Sequence, residues 1–84
     1  KIIDDAGYAG RFGHGLGHSV GIDIHEEPRL SPMCHDILEP GTTITVEPGI
    51  YVPGLGGVRI ENTCVVTENG GRTLVHAQKA LLIL

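Results

Sequence analysis

The sequence predicts an α+β chain that is mainly antiparallel β-sheet with little helix, and three observations carry that expectation. Residues 42–52 and 58–67 alternate in side-chain character with a period of two on either side of the turn string PGLGG at 53–57. Glycine recurs at positions 13, 15, 17 and 21. Each costs about 0.5–1 kcal/mol relative to alanine inside a helix, so that stretch is extended or turned. Only residues 1–6 read as helical, and six residues make no stable helix alone.

Taken in order, Ile2 and Ile3 followed by Asp4, Asp5 and Ala6 suit a helix end, with Gly7 as its C-cap. Residues 13–28, GHGLGHSVGIDIHEEP, follow as extended or turn structure, and residues 29–41, with Pro32 and Pro40, read as loop. In the first long strand, 42–52, Thr43, Thr45 and Glu47 occupy one face and Ile44 and Val46 the other. In the second, 58–67, Arg59, Glu61, Thr63 and Val65 oppose Val58, Ile60, Cys64 and Val66. Asn69, Gly70 and Gly71 make a further turn, after which 73–76 and 80–84 are expected as short strands. There are no repeats, low-complexity tracts or internal linkers.

Composition narrows the function. Eighty-four residues hold one domain at most, and a chain of this size buries only about 60–65% of its unfolded surface. With 4% aromatic residues the core is meagre, which predicts a metal, a partner or further sequence to complete it. Ten acidic against six basic residues, with no basic cluster, exclude the concentrated positive charge that nucleic acid requires. No apolar run approaches the roughly 18–20 residues of a spanning helix, so no membrane partner is expected. Cys34 and Cys64 stand thirty positions apart without CxxC pairing, unlike a disulfide scaffold or a zinc ribbon, and a cytoplasmic setting is the expectation.

Chemistry enters with the hairpin. If Val52 lies opposite Val58, Glu47 faces Thr63 and Glu61 is its diagonal neighbour, about 7–8 Å away at Cα on the same face. Two like charges aimed into one space call for a compensating cation, supplied by Arg59 or by a divalent metal. His14, His18 and His25 fall within twelve residues. The glycines exclude the helical HxxxH arrangement, but in extended structure His14 and His18 share a face, and a bend near Gly21 returns His25 to them. Three solvated histidines brought together by chance is the competing reading, and it leaves the strand-borne Glu47 and Glu61 unexplained.

The strings HGLGHSVGIDIHEEP, ITVEPGIYV and GVRIENTCVVTENG resemble, in order, three signatures of the pita-bread metallopeptidases of family M24. The likeness is to the proline-directed branch of aminopeptidase P and Xaa-Pro dipeptidase (prolidase), and it covers nearly the whole chain. The resemblance implies the carboxy-terminal portion of a pita-bread fold. It also implies a hydrolase with two divalent cations bridged by water or hydroxide, acting on the bond before proline in a peptide. By position, His18 matches a metal-ligand histidine, Glu47 a ligand to one metal, and Glu61 a carboxylate shared by both. His25 matches a histidine that hydrogen-bonds the substrate near the scissile bond, and His14 and Arg59 separate this branch from the methionine aminopeptidases.

One imidazole with hard carboxylates suits Mn²⁺, Co²⁺, Fe²⁺ or Zn²⁺ and favours none of them decisively; for the pair of ions that the resemblance implies, Mn²⁺ is the first expectation. Glu47 is then the residue to move the proton, and His25, with His14, stabilises the oxyanion. Arg59 either orients a carboxylate or makes a plain salt bridge, and Tyr51 either donates a hydrogen bond in the site or packs as a strand residue. Glu26 and Glu27 are expected as a solvated acidic turn before Pro28, and His35 and His76 as surface residues. Two aspartate ligands of the family have no counterpart, since Asp4 and Asp5 are adjacent and sit at a helix end. A dinuclear site holding only Glu47, Glu61 and a hydroxide wants about two further carboxylates. The chain is therefore expected to be the carboxy-terminal fragment of one larger catalytic domain, homodimeric when whole, and weakly active or inactive by itself. Two alternatives stand beside this reading: a non-catalytic binding module on the same fold, and a small mononuclear His-Glu-Glu metal-binding module.

Overall fold

The computed structural model describes residues 1–84. Near its amino end a short π-helical turn, Asp4–Tyr8, is kinked at Gly7, whose φ of 95° only glycine adopts without strain. Seven strands follow: β1 (Gly17–Ser19), β2 (Glu26–Leu30), β3 (Thr43–Val46), β4 (Gly49–Val52), β5 (Gly56–Arg59), β6 (Asn62–Thr67) and β7 (Gly70–Thr73). All pairings are antiparallel. Five strands form one sheet in the order β2-β1-β3-β6-β7, and β4-β5 form a separate ribbon.

The expected long strand 42–52 is divided at Glu47–Pro48. Proline has no N–H to give to a ladder. The pairing nevertheless resumes in the same register beyond the break: Thr45 lies opposite Thr63 and Val46 opposite Asn62, then Gly49 opposite Arg59 and Ile50 opposite Val58. Between them the Ile60 N–H donates to the Pro48 carbonyl at 3.2 Å. This register is offset by two residues from the one that sets Val52 against Val58, because the loop is the three residues Pro53, Gly54 and Leu55, and Val52 closes on Gly56. Gly54 at φ 79° and Gly56 at φ 142° allow that tighter turn. Carried through the break, the register sets Glu47 directly opposite Glu61.

Two further expectations are corrected. The last hairpin turns at Glu68 and Asn69, so the strand after it is Gly70–Thr73, two residues of turn sufficing to reverse the chain. Residues 80–84 form no strand, because no neighbour offers them a ladder, and Leu81 to Leu84 are exposed. The interior is small and mostly polar. Ile44 is the one buried hydrophobic side chain, packed in the sheet beside buried Thr45, Ser19 and His18. No helix is long and apolar enough to cross a membrane.

Candidate metal centre

The centre begins with a close approach of backbones. A Cβ on Gly17 would run into the Thr45 carbonyl, so only glycine lets β1 lie this tightly on β3. The next residue, His18, then donates its backbone N–H to the Thr45 hydroxyl at 3.1 Å. Its ring Nδ1 lies 3.0 Å from the Ser19 carbonyl. A carbonyl only accepts, so Nδ1 carries a proton and is committed there, and Nε2 is the nitrogen left to reach outward. That nitrogen faces Glu47 Oε2 at 3.5 Å, with side chains only 11% and 15% exposed.

Glu47 is anchored from its other side by its N–H, which donates to the Leu16 carbonyl at 2.7 Å. Glu61, opposite it in the register carried through the break, is exposed and outside the cleft lining but near enough to act on the Glu47 carboxylate. Burial acts to raise the Glu47 pKa. Hydrogen bonds with Thr45 and Glu61, then the charges of His18 and Arg59, outweigh it together and hold the pKa below the ordinary carboxylate value. Arg59, opposite Gly49 on β5, is thus placed to act on this carboxylate.

The turn between β1 and β2 returns His25 to the centre. Gly21 N–H donates to the Asp23 carbonyl at 3.1 Å, and Asp23 N–H to Glu26 Oε2 at 2.9 Å. The Glu26 carboxylate lies where a Cβ on Gly21 would be, 2.6 Å from Oε1. So fastened, the His25 ring packs on the His18 ring with centroids 4.4 Å apart. Glu26 is no idle solvated charge, contrary to the sequence expectation, because the reversal of the chain gives it an N–H to accept from.

His14 is held by both nitrogens. Nδ1 donates to the Gly15 carbonyl at 2.7 Å, which leaves Nε2 to accept from the Tyr51 hydroxyl at 2.6 Å. Tyr51 lies over Gly57, where a Cβ would sit 2.6 Å from its ring, and its N–H donates to the Arg11 carbonyl at 3.0 Å. Of its two sequence readings, the structure therefore favours the hydrogen-bonding one.

His14, His18, His25, Arg29, Glu47 and Arg59 line one cleft of about 300 Å³ that contains no hydrophobic residue. Arg29 was not a sequence candidate. It stands opposite His18 in the β1–β2 pairing, and Pro28 beside it hides the strand alternation that would have signalled it. An adjoining cavity of about 520 Å³ shares His14 and Arg29 with the cleft and is otherwise walled largely by apolar side chains such as Phe12, Leu16 and Leu30. His35 lines a separate cavity with Glu27, Asp36 and Glu39, while His76 is exposed, and neither joins the centre.

The donor set fits a divalent cation: an imidazole whose far nitrogen is tied to a carbonyl, as metal-binding histidines are, and two hard carboxylates. No group of three or more His, Cys, Asp or Glu side chains closes on a single point.

Residues 1–68 match metallopeptidase family M24. An Xaa-Pro dipeptidase of Pyrococcus furiosus is 51% identical over 82 residues, 98% of this chain and 24% of the relative. One of Lactobacillus delbrueckii is 45% identical over 84 residues, all of this chain and 23% of the relative. Among solved structures, a dipeptidase of Pyrococcus horikoshii superposes with a TM-score of 0.93 at 54% identity, over 99% of this chain and 23% of its own. An X-Pro aminopeptidase of Thermotoga maritima superposes with a TM-score of 0.93 at 37% identity, over 99% of this chain and 24% of its own. The chain thus spans about a quarter of the length of the relatives it matches.

Proposed function

The chain belongs to metallopeptidase family M24, with the backbone of the pita-bread fold, and from that premise we propose that it is part of a peptidase cleaving the bond before proline. The observation that carries this reading is the preparation of His18: Nδ1 committed to the Ser19 carbonyl and Nε2 turned to Glu47, with Glu61 set opposite Glu47 by the register of the flanking strands. We assign the chain to the carboxy-terminal part of a single catalytic domain, a reading supported by its covering under a quarter of relatives that it matches nearly end to end.

His18 Nε2, Glu47 and Glu61 would hold two divalent ions, Mn²⁺ first among the candidates and Co²⁺, Zn²⁺ or Fe²⁺ compatible. When bound, such ions supply Lewis acidity to the scissile carbonyl and an activated water. The chain's own residues do the rest. Glu47, kept ionised by its neighbours, accepts the proton of the attacking water at Oε2 and passes it to the leaving imino nitrogen. His25 donates a hydrogen bond to the developing oxyanion. His14, its ring fixed by Tyr51, forms the wall between the polar cleft and the apolar cavity, which is suited to a prolyl ring. Arg29 offers a cation at the edge of both, suited to the carboxylate of a short peptide. A cytoplasmic homodimer acting on proline-containing peptides completes the proposal.

The test is hydrolysis of Xaa-Pro dipeptides by the full-length, metal-loaded protein, together with its metal content. Glu61→Gln should reduce turnover by more than about 10³-fold and lower the bound metal. A mild loss, with metal content unchanged, would remove Glu61 from the ligand set.

A further inference from the structure

Strand β2 puts two side chains of opposite charge on one face, two residues apart: Glu27 and Arg29. Arg29 pairs across the ladder with His18, which directs it to the metal-binding face. Its Nε–H donates to Glu27 Oε1 at 3.3 Å, and no other carboxylate forms an ion pair with it. Asp36 lines the apolar cavity with Arg29 without engaging it. Guanidinium is a rigid planar fork. When Nε is occupied from the side, the two terminal nitrogens remain free to bind a second carboxylate end-on. We propose that Glu27 is a positioning residue for substrate: it holds Arg29 by Nε so that the terminal nitrogens meet the free carboxylate of a short peptide in the cleft. This rests on the reading of the chain as part of an Xaa-Pro peptidase in which Arg29 binds that carboxylate.

Neither side chain is buried, at 55% exposure for Arg29 and 73% for Glu27. Exposed ion pairs contribute little to stability, so removing Glu27 should leave the fold intact and act on Arg29 alone. Pairing through Nε also predicts that the acceptor oxygen matters more than the charge, which makes glutamine a rescuing residue.

The experiment compares steady-state hydrolysis of Ala-Pro and of its C-terminal amide, Ala-Pro-NH₂, by the full-length, metal-loaded protein. The amide is the probe that lacks the carboxylate. Glu27→Ala should raise KM for Ala-Pro about three- to tenfold with little change in kcat, and leave KM for the amide where it was. Glu27→Gln should recover most of that loss. Arg29→Gln should abolish the preference for the acid over the amide. If Glu27→Ala leaves KM for the acid unchanged or lowers it while Arg29→Gln removes the preference, the positioning role is overturned and the Arg29 reading stands. If Arg29→Gln leaves the preference intact, the carboxylate reading falls and the role of Glu27 with it. Absence of hydrolysis of either substrate by the wild-type protein overturns the peptidase reading itself.

Discussion

His18 is prepared for a ligand by its own backbone: the neighbouring Ser19 carbonyl engages Nδ1–H, so Nε2 is the nitrogen that faces Glu47. Glu47 is prepared by charge and hydrogen bonding, which depress its pKa against the opposing effect of burial. A folded pKa below the unfolded one means that the ionised group stabilises the fold above the ordinary carboxylate range, and that this contribution is lost as pH falls through the folded value. Glu47→Gln removes it. In the metal-free protein, the stability difference between wild type and variant should therefore be largest near neutral pH and shrink with acidification. Unfolding free energies measured by urea denaturation across the acid range check this, and a difference independent of pH would contradict it. Glu26 and Glu27 carry a different lesson. Their run of charge before a proline reads as solvated, yet one fastens the turn that holds His25 and the other holds Arg29. Local sequence contains the charges but not the partners that chain reversal brings to them.

At the scale of elements, the centre depends on two tight junctions. One is the three-residue loop between β4 and β5, which shifts the register by two residues and turns a diagonal pair of carboxylates into a directly opposed one. Because the shift is even, both side chains stay on the same face, and the convergence expected from alternation survives the wrong register. The other junction is Gly17, where the backbone of β1 lies directly against Thr45 of β3 and leaves no room for a Cβ. Gly17→Ala must push the strands apart and should destabilise the full-length protein by about 1–3 kcal/mol, as overpacking does, while also lowering metal occupancy because His18 moves with β1. Gly13→Ala, where nothing lies within 4 Å, is the control and should stay within about 0.5 kcal/mol. Paired denaturation curves and metal analysis decide it, and equal effects of the two substitutions would refute the close-contact account.

At the scale of the whole molecule the surface is too large for its mass. The accessible area is 6596 Å², against about 4800 Å² for a compact monomer of 8.9 kDa. Six of 84 residues are buried, and Ile22, Ile24, Met33, Ile37 and the run Leu81 to Leu84 stand in solvent. Hydrophobic burial on this scale does not offset the ordering entropy of the chain. The 84-residue chain taken by itself should therefore show no cooperative thermal transition and weak metal affinity, measured by calorimetry and by equilibrium dialysis with Mn²⁺. A sharp transition with stoichiometric tight metal would contradict this and favour a self-sufficient metal-binding module.

Alternation of residue types and the order of three short strings were enough, in one dimension, to predict an antiparallel sheet, the family, and that His14, His18, His25, Glu47 and Arg59 gather in one place. The sheet is written in the period of the side chains, which the backbone obeys wherever it goes, and the family in the likeness of the three strings to known signatures. Only the tertiary structure decided which carboxylate faces which, that Pro48 divides the strand without ending its register, and that Arg29 joins the cleft. It also decided that Glu26 and Glu27 serve as struts. The physical reason is that cross-strand register is set by how tightly a loop closes, and hydrogen-bond partners by which backbones touch, and both depend on residues distant in sequence.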